Sequence, residues 1–205
     1  MKVIKNERNK TMFVKLFKLM FVFIMFALFI TSITEAQTTK INYPVFSISP
    51  VVGVTFPLNQ LNNNYSASWN AGVDFNLKVN RETSFWLFAG YNDLPIKSSY
   101  VGPSANIIQI VAGPRYIFTS QQIKAQIFIE GGLGVYIFNV KDWTFEGVNI
   151  PSTSKANFGI NIGPGAQIPL GGTVSLIMKA KIHDMFMEGG SQTMITAVMG
   201  VDFTL

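Results

Sequence analysis

From Ala156 to His183 the chain alternates apolar and polar positions, strictly in its first half. Phe158, Ile160, Ile162, Pro164, Ala166, Ile168 and Leu170 take the even positions, and Asn157, Gly159, Asn161, Gly163, Gly165 and Gln167 the odd ones. Successive residues of a strand point to opposite faces, so one face is wholly apolar and the other holds glycine and amide. Gly171-Gly172 reads as a two-residue hairpin turn. The return strand sets Val174, Leu176, Met178, Ala180 and Ile182 against Ser175, Ile177, Lys179, Lys181 and His183. A soluble barrel puts its large side chains inside. A greasy face opposite a small, polar one suits a strand with lipid outside and a wet lumen inside.

The same period predicts six more strands. They run over Pro44–Phe56, Trp69–Val79, Thr83–Asn92, Ala105–Phe118, Lys124–Phe138 and Ile195–Leu205. Trp69 to Val79 spans eleven residues, within the ~9–11 that a tilted strand needs to cross a bilayer. In Thr83–Asn92 the period puts Phe85, Leu87, Ala89 and Tyr91 outward, although Trp86 and Phe88 then face inward. Asn139–Lys155 is predicted as the longest loop and Asp184–Gln192 as another. Connections alternate long and short, as periplasmic turns and outer loops do in an up-and-down membrane barrel. The expected fold is all-β: an eight-stranded antiparallel up-and-down transmembrane β-barrel, with both termini on the periplasmic side.

Two details qualify the pattern. Pro50, Pro114 and Pro164 fall inside strands, where proline removes a ladder hydrogen bond. Gly113-Pro114 and Gly163-Pro164 are therefore expected to be β-bulges. Aromatics on the outward face sort to the strand ends. Phe46, Phe85, Tyr116, Phe118 and Phe203 fall near the periplasmic ends, and Phe56, Trp69, Tyr91 and Phe158 near the outer ends. These are expected to be the two interfacial girdles of a membrane barrel.

The first 36 residues read differently. They carry six basic and two acidic residues, then an unbroken apolar run of twelve from Leu19 to Ile30, then Thr34-Glu35-Ala36. Basic, apolar and small-residue segments in that order make a cleavable secretory signal peptide. The run is shorter than the ~20 residues of a spanning helix. Met12 is a second possible start, because MFVKLFKLM supplies a basic region by itself. The expected domains are a signal peptide over 1–36 and an outer-membrane barrel over 37–205.

Composition removes several functions. The net charge of +5 resides mostly in the leader, and the remaining 10 basic and 9 acidic residues nearly cancel. Without a basic patch there is no footprint for nucleic acid. Cysteine is absent, which removes disulfides and thiolate metal sites. A single histidine and scattered acids offer no metal-ligand spacing. No cofactor is expected.

The inward positions carry the remaining candidates. Asp74, Lys78, Arg115, Glu130, Lys179, Lys181 and Asp202 share the lumen phase. A buried charge must be paired or hydrogen-bonded. Adjacent strands pair Arg115 with Glu130, and Lys179 or Lys181 with Asp202. The expectation is a plugging ion network rather than an open pore. Inward glycines leave room for Phe128 and Tyr136. His183 is the one catalytic candidate, beside Asp184, with Ser175 too far along the strand for the ~3 Å contact that nucleophilic catalysis needs. A hydrogen-bonded rim histidine is the plainer account of it.

The segments Val111–Tyr116, Gly131–Tyr136, Phe158–Gly163 and Val201–Leu205 resemble small Gram-negative outer-membrane barrels, the OmpX-like and OmpA transmembrane-domain-like families. The resemblance covers Pro44 to Leu205. It implies insertion by the barrel-assembly machinery through the last strand, which here ends in Leu205 with Phe203 two residues back. Contact with outer-membrane lipid and lipopolysaccharide and a monomeric state are expected, and, because the chain stops at strand eight, no C-terminal peptidoglycan-binding domain is expected. The expected function is structural, surface-interacting or envelope-supporting. The alternatives are a lipid-modifying enzyme using His183 and a narrow channel for small solutes.

Overall fold

The computed structural model describes residues 42–118 and 125–205. The proposed leader, the choice between Met1 and Met12, Lys124 and the turn before it lie outside the described residues. The strands are β1 (Val45–Pro57), β2 (Ser68–Lys78), β3 (Thr83–Leu94), β4 (Ala105–Phe118), β5 (Gln126–Val140), β6 (Trp143–Phe145), β7 (Val148–Ile150), β8 (Thr153–Gly171), β9 (Val174–Met187) and β10 (Gly190–Thr204). One short helix, α1 (Asn59–Asn64), sits between β1 and β2. Eight strands close into an antiparallel barrel in the order β1-β10-β9-β8-β5-β4-β3-β2, and β6–β7 forms a small separate hairpin. Among the described residues no helix is long and apolar enough to cross a membrane; the apolar belt belongs to the strands.

The alternation governs which way each side chain points. Val52, Leu133 and Ile162 are more than half exposed on the outer wall, while Val51, Asp74, Arg115 and Glu130 are buried within the barrel. The phase of Thr83–Asn92 is the one the period gives. Phe85 and Leu87 are exposed, and Trp86 and Phe88 are inside. Large side chains fit there because inward glycines face them. A Cβ on Gly132 would lie 2.7 Å from the Trp86 ring, and one on Gly159 would lie 2.8 Å from the Tyr136 ring.

Four expectations need correction. The predicted loop Asp184–Gln192 is strand almost throughout. β9 and β10 run on to the Met187↔Gly190 pair, around a turn at Glu188-Gly189. The predicted long loop Asn139–Lys155 is shortened from both ends, since β5 reaches Val140 and β8 starts at Thr153, with the β6–β7 hairpin between them.

The proline bulges are absent. Pro114 stays in register with Phe85 and Pro164 with Ile129, and no shift occurs at either residue. On the other side the ladder skips Gly113-Pro114 and Gly163-Pro164, then resumes in the same register. In an antiparallel ladder each residue's N–H serves one neighbour only. Proline therefore costs one bond on one side and needs no extra residue. The preceding glycine lets the next strand come close: a Cβ on Gly163 would lie 2.7 Å from the Lys181 Cα. The irregularity in this hairpin falls instead between Pro169 and Gly171. Beside it, Ile168 is buried rather than outward-exposed.

Candidate functional site

The lumen is layered. Its charged layer joins Asp74 on β2, Arg115 on β4, Glu130 on β5, and Lys179 and Lys181 on β9. Arg115 donates from Nε to Glu130 Oε2 at 2.6 Å and reaches Asp74 Oδ2 at 3.3 Å. Lys179 pairs with Asp74 and stands 3.5 Å from Glu130. Lys181 lies 2.5 Å from Glu130 Oε1.

Three cations thus meet two carboxylates, and aromatic faces take up the excess. Lys181 Nζ is 3.4 Å from the centre of the Trp86 ring, and Arg115 Cζ is 4.2 Å over Phe128. Lys179 lies 5.4 Å from the Phe88 ring centre. A desolvated cation on an aromatic face gains about 2 kcal/mol. This explains why inward positions otherwise given to glycine and amides carry Trp86, Phe88 and Phe128. An inward aromatic within reach of an inward lysine or arginine is the sequence signal for it.

Asp202 is not part of the charged layer. The expected pairing with Lys179 or Lys181 on the adjacent strand does not form. Asp202 accepts from Ser49 Oγ at 2.6 Å and from Gln167 Nε2 at 2.7 Å. Inward side chains of a narrow barrel reach across the lumen as easily as along the wall, so Lys179 meets Asp74 on β2 instead. Lys78 also stands apart and donates to Gln126 Oε1 at 2.9 Å. Ser49, Gln167 and Gln126 are polar residues in the lumen phase whose roles strand adjacency alone does not reveal.

Outward of the charges the lumen is polar but neutral around His183. Its Nδ1 is 3.0 Å from the Tyr136 hydroxyl, and its Nε2 is 2.9 Å from Thr196 Oγ1. Asn161 donates to the same Tyr136 hydroxyl at 3.3 Å. Asp184 does not hold His183; it accepts from Thr193 Oγ1 at 3.0 Å. Both imidazole nitrogens face hydroxyls and the ring is buried, so no carboxylate orients it toward a nucleophile. A parallel chain links Asn70 to Thr55 at 2.9 Å and Thr55 to Asn92 at 2.7 Å. A cavity of about 10 Å³ lies between the two layers, lined in part by Asn70, Gln109, Lys179, Lys181 and His183. That is room for about one water.

On the outer wall Phe46, Trp69, Phe85, Tyr116, Phe118, Phe158 and Phe203 are exposed, and Phe56 and Tyr91 are half-buried. Trp69 and Tyr91 have ring centres 5.3 Å apart, and Tyr116 and Phe118 5.2 Å.

No family model matches the chain and no curated protein matches it. Solved structures do. A major outer membrane protein from Thermus thermophilus matches with a TM-score of 0.61 at 10% identity, covering 80% of this chain and 100% of that one. Neisserial surface protein A matches with a TM-score of 0.57 at 12% identity, over 77% of this chain and 96% of that one. The outer membrane protein OprG from Pseudomonas aeruginosa matches with a TM-score of 0.53 at 11% identity, over 79% and 96%. With the closed barrel, the apolar outer wall and the polar lumen, this likeness gives the chain the fold of the small outer-membrane β-barrels.

Proposed function

We propose that the chain is an integral protein of the outer membrane whose barrel is a closed anchor rather than a conduit, and that its role is structural or surface-interacting. The observation that carries this is the charged layer. Asp74, Arg115, Glu130, Lys179 and Lys181 come from four strands and lock together across the lumen. A continuous water path would have to break ion pairs buried between Trp86, Phe88 and Phe128. Eight strands leave an interior that side chains just fill, and here they fill it with paired charge.

The exposed aromatics at both strand ends act as girdles in the two interfaces, and the apolar wall between them contacts lipid and, in the outer leaflet, lipopolysaccharide. The barrel-assembly machinery inserts the chain through the end of its last strand, β10, at Val201–Leu205, and the barrel works as a monomer. What it presents outward is the set of segments beyond the outer girdle. The β6–β7 hairpin has Phe145 and Val148 exposed beside its turn and Ile150 exposed at its base.

Envelope fractionation tests this directly, with gel mobility measured before and after heating. The expected result is recovery with the outer membrane and a heat-dependent mobility shift. Recovery as a soluble periplasmic protein without a shift would overturn the proposal.

A further inference from the structure

The outward face of β9 is apolar except at one position. Val174, Leu176, Met178, Ala180 and Ile182 are followed by Asp184 and then by Phe186. Ile182 and Phe186 are exposed on the outer wall, while His183 and Met185 are buried in the lumen. Asp184 therefore points outward, and it is half-buried there. Its neighbour on β8 is Ile160, exposed on the same wall. Just beyond it, Phe158 and Phe186 stack with ring centres 6.4 Å apart.

The strand fixes the depth of this carboxylate. Val174 pairs with Phe203, the inner-girdle residue of β10. From Val174 to Asp184 β9 advances about ten residues, which at ~3.3 Å each and a tilt of ~40° rise about 25 Å. The apolar band of an outer-membrane barrel is ~25 Å tall. Asp184 thus stands where acyl chains give way to headgroups.

The carboxylate is held but not neutralised. Thr193 Oγ1 donates to Asp184 Oδ1 at 3.0 Å, and Asn59 Nδ2 donates to Thr193 Oγ1 at 3.2 Å. This chain orients the group and leaves Oδ2 to accept from outside the protein. Among the described residues no cationic side chain lies within ion-pair distance of Asp184. Lys155, on the neighbouring strand, is taken by Glu188.

On the reading of the chain as an outer-membrane barrel, we propose that Asp184 is a lipid-headgroup site. Its free oxygen accepts from the primary ammonium of an outer-leaflet lipid whose acyl chains lie along Ile160 and Ile182. An ionised carboxylate only accepts, so its ligand is a donor or a cation. An ammonium is both, and a charge-assisted hydrogen bond is about twice as strong as a neutral one. A divalent ion bridging to a lipid phosphate needs about six oxygen ligands, and among the described residues no three acidic or histidine side chains gather to hold one.

Native mass spectrometry reads the lipid that stays bound. The barrel is reconstituted in phosphatidylcholine nanodiscs with equal fractions of phosphatidylethanolamine and phosphatidylglycerol. The heat-dependent mobility shift is checked first, and its absence from the unaltered barrel would fail the outer-membrane reading rather than this site. The expected result is retention of phosphatidylethanolamine about fivefold above phosphatidylcholine, whose quaternary ammonium has no N–H to donate. Asp184→Asn keeps the bond to Thr193, drops the charge and abolishes the preference. Glu146→Gln, at an exposed carboxylate in the turn of the β6–β7 hairpin, leaves it unchanged. The preference of the unaltered barrel is read independently of any variant. Equal retention of the two zwitterionic lipids would overturn the proposal. So would a preference that survives Asp184→Asn in a heat-shifting barrel, or retention of phosphatidylglycerol that a chelator removes, which is the signature of a metal bridge.

Discussion

Two layers of one lumen solve the same problem by different means. The inner layer buries three cations with two carboxylates and leans the excess on aromatic rings. The outer layer buries His183, Tyr136, Asn161 and Thr196 with no formal charge and matches them by hydrogen bonds. A charge buried without its partner is far more costly than a lost neutral hydrogen bond. The inner layer is therefore the intolerant one, and the outer layer the adaptable one.

That contrast predicts a ranking in urea unfolding of the barrel in lipid vesicles. Glu130→Ala has the largest effect. It leaves Arg115, Lys179 and Lys181 with Asp74 alone and destabilises the barrel by about 3–5 kcal/mol. Trp86→Leu keeps every ion pair but removes the ring against Lys181 and part of the packed volume, costing about 2–3 kcal/mol. Tyr136→Phe removes a hydroxyl from His183 and Asn161 and costs about 1 kcal/mol. If Tyr136→Phe proved as damaging as Glu130→Ala, the contrast between the layers would fail.

The smallest effect lies outside the membrane. Glu188 in the β9–β10 turn accepts from Lys155 Nζ at 2.6 Å. This hydrogen bond and the lysine's charge hold the Glu188 carboxyl below its ordinary pKa. The stabilisation is present above the ordinary glutamate pKa and is lost as the pH falls through the lowered one. Both groups are exposed, so an NMR titration of the carboxyl, not stability, is the readout. Lys155→Ala should return the Glu188 midpoint upward, with no measurable change in unfolding.

The sequence exposes the barrel where lipid lies outside and polar groups lie inside, because alternation is then strict. All eight strands, the inward turn of Trp86 and Phe88, and the Arg115–Glu130 contact follow from that period. It fails at the outer end of β9 and β10, where Asp184 interrupts the outward apolar face and Glu188-Gly189-Gly190 reads as a turn. DMFMEGGSQ therefore looks like a loop although Asp184–Met187 and Gly190–Gln192 are paired strand. The prolines mislead for another reason: a missing N–H resembles a need for a bulge when the ladder is not resolved side by side. Lys179 with Asp74 escapes because sequence adjacency predicts neighbours on the wall and not partners across the lumen.

Single-channel recording in a planar bilayer tests the closed lumen most directly. The unaltered barrel should show no steady conductance at moderate voltage. Double replacement of Glu130 and Lys181 by alanine, which empties the centre of the charged layer, should produce small discrete openings. Large, steady conductance from the unaltered protein would contradict the account.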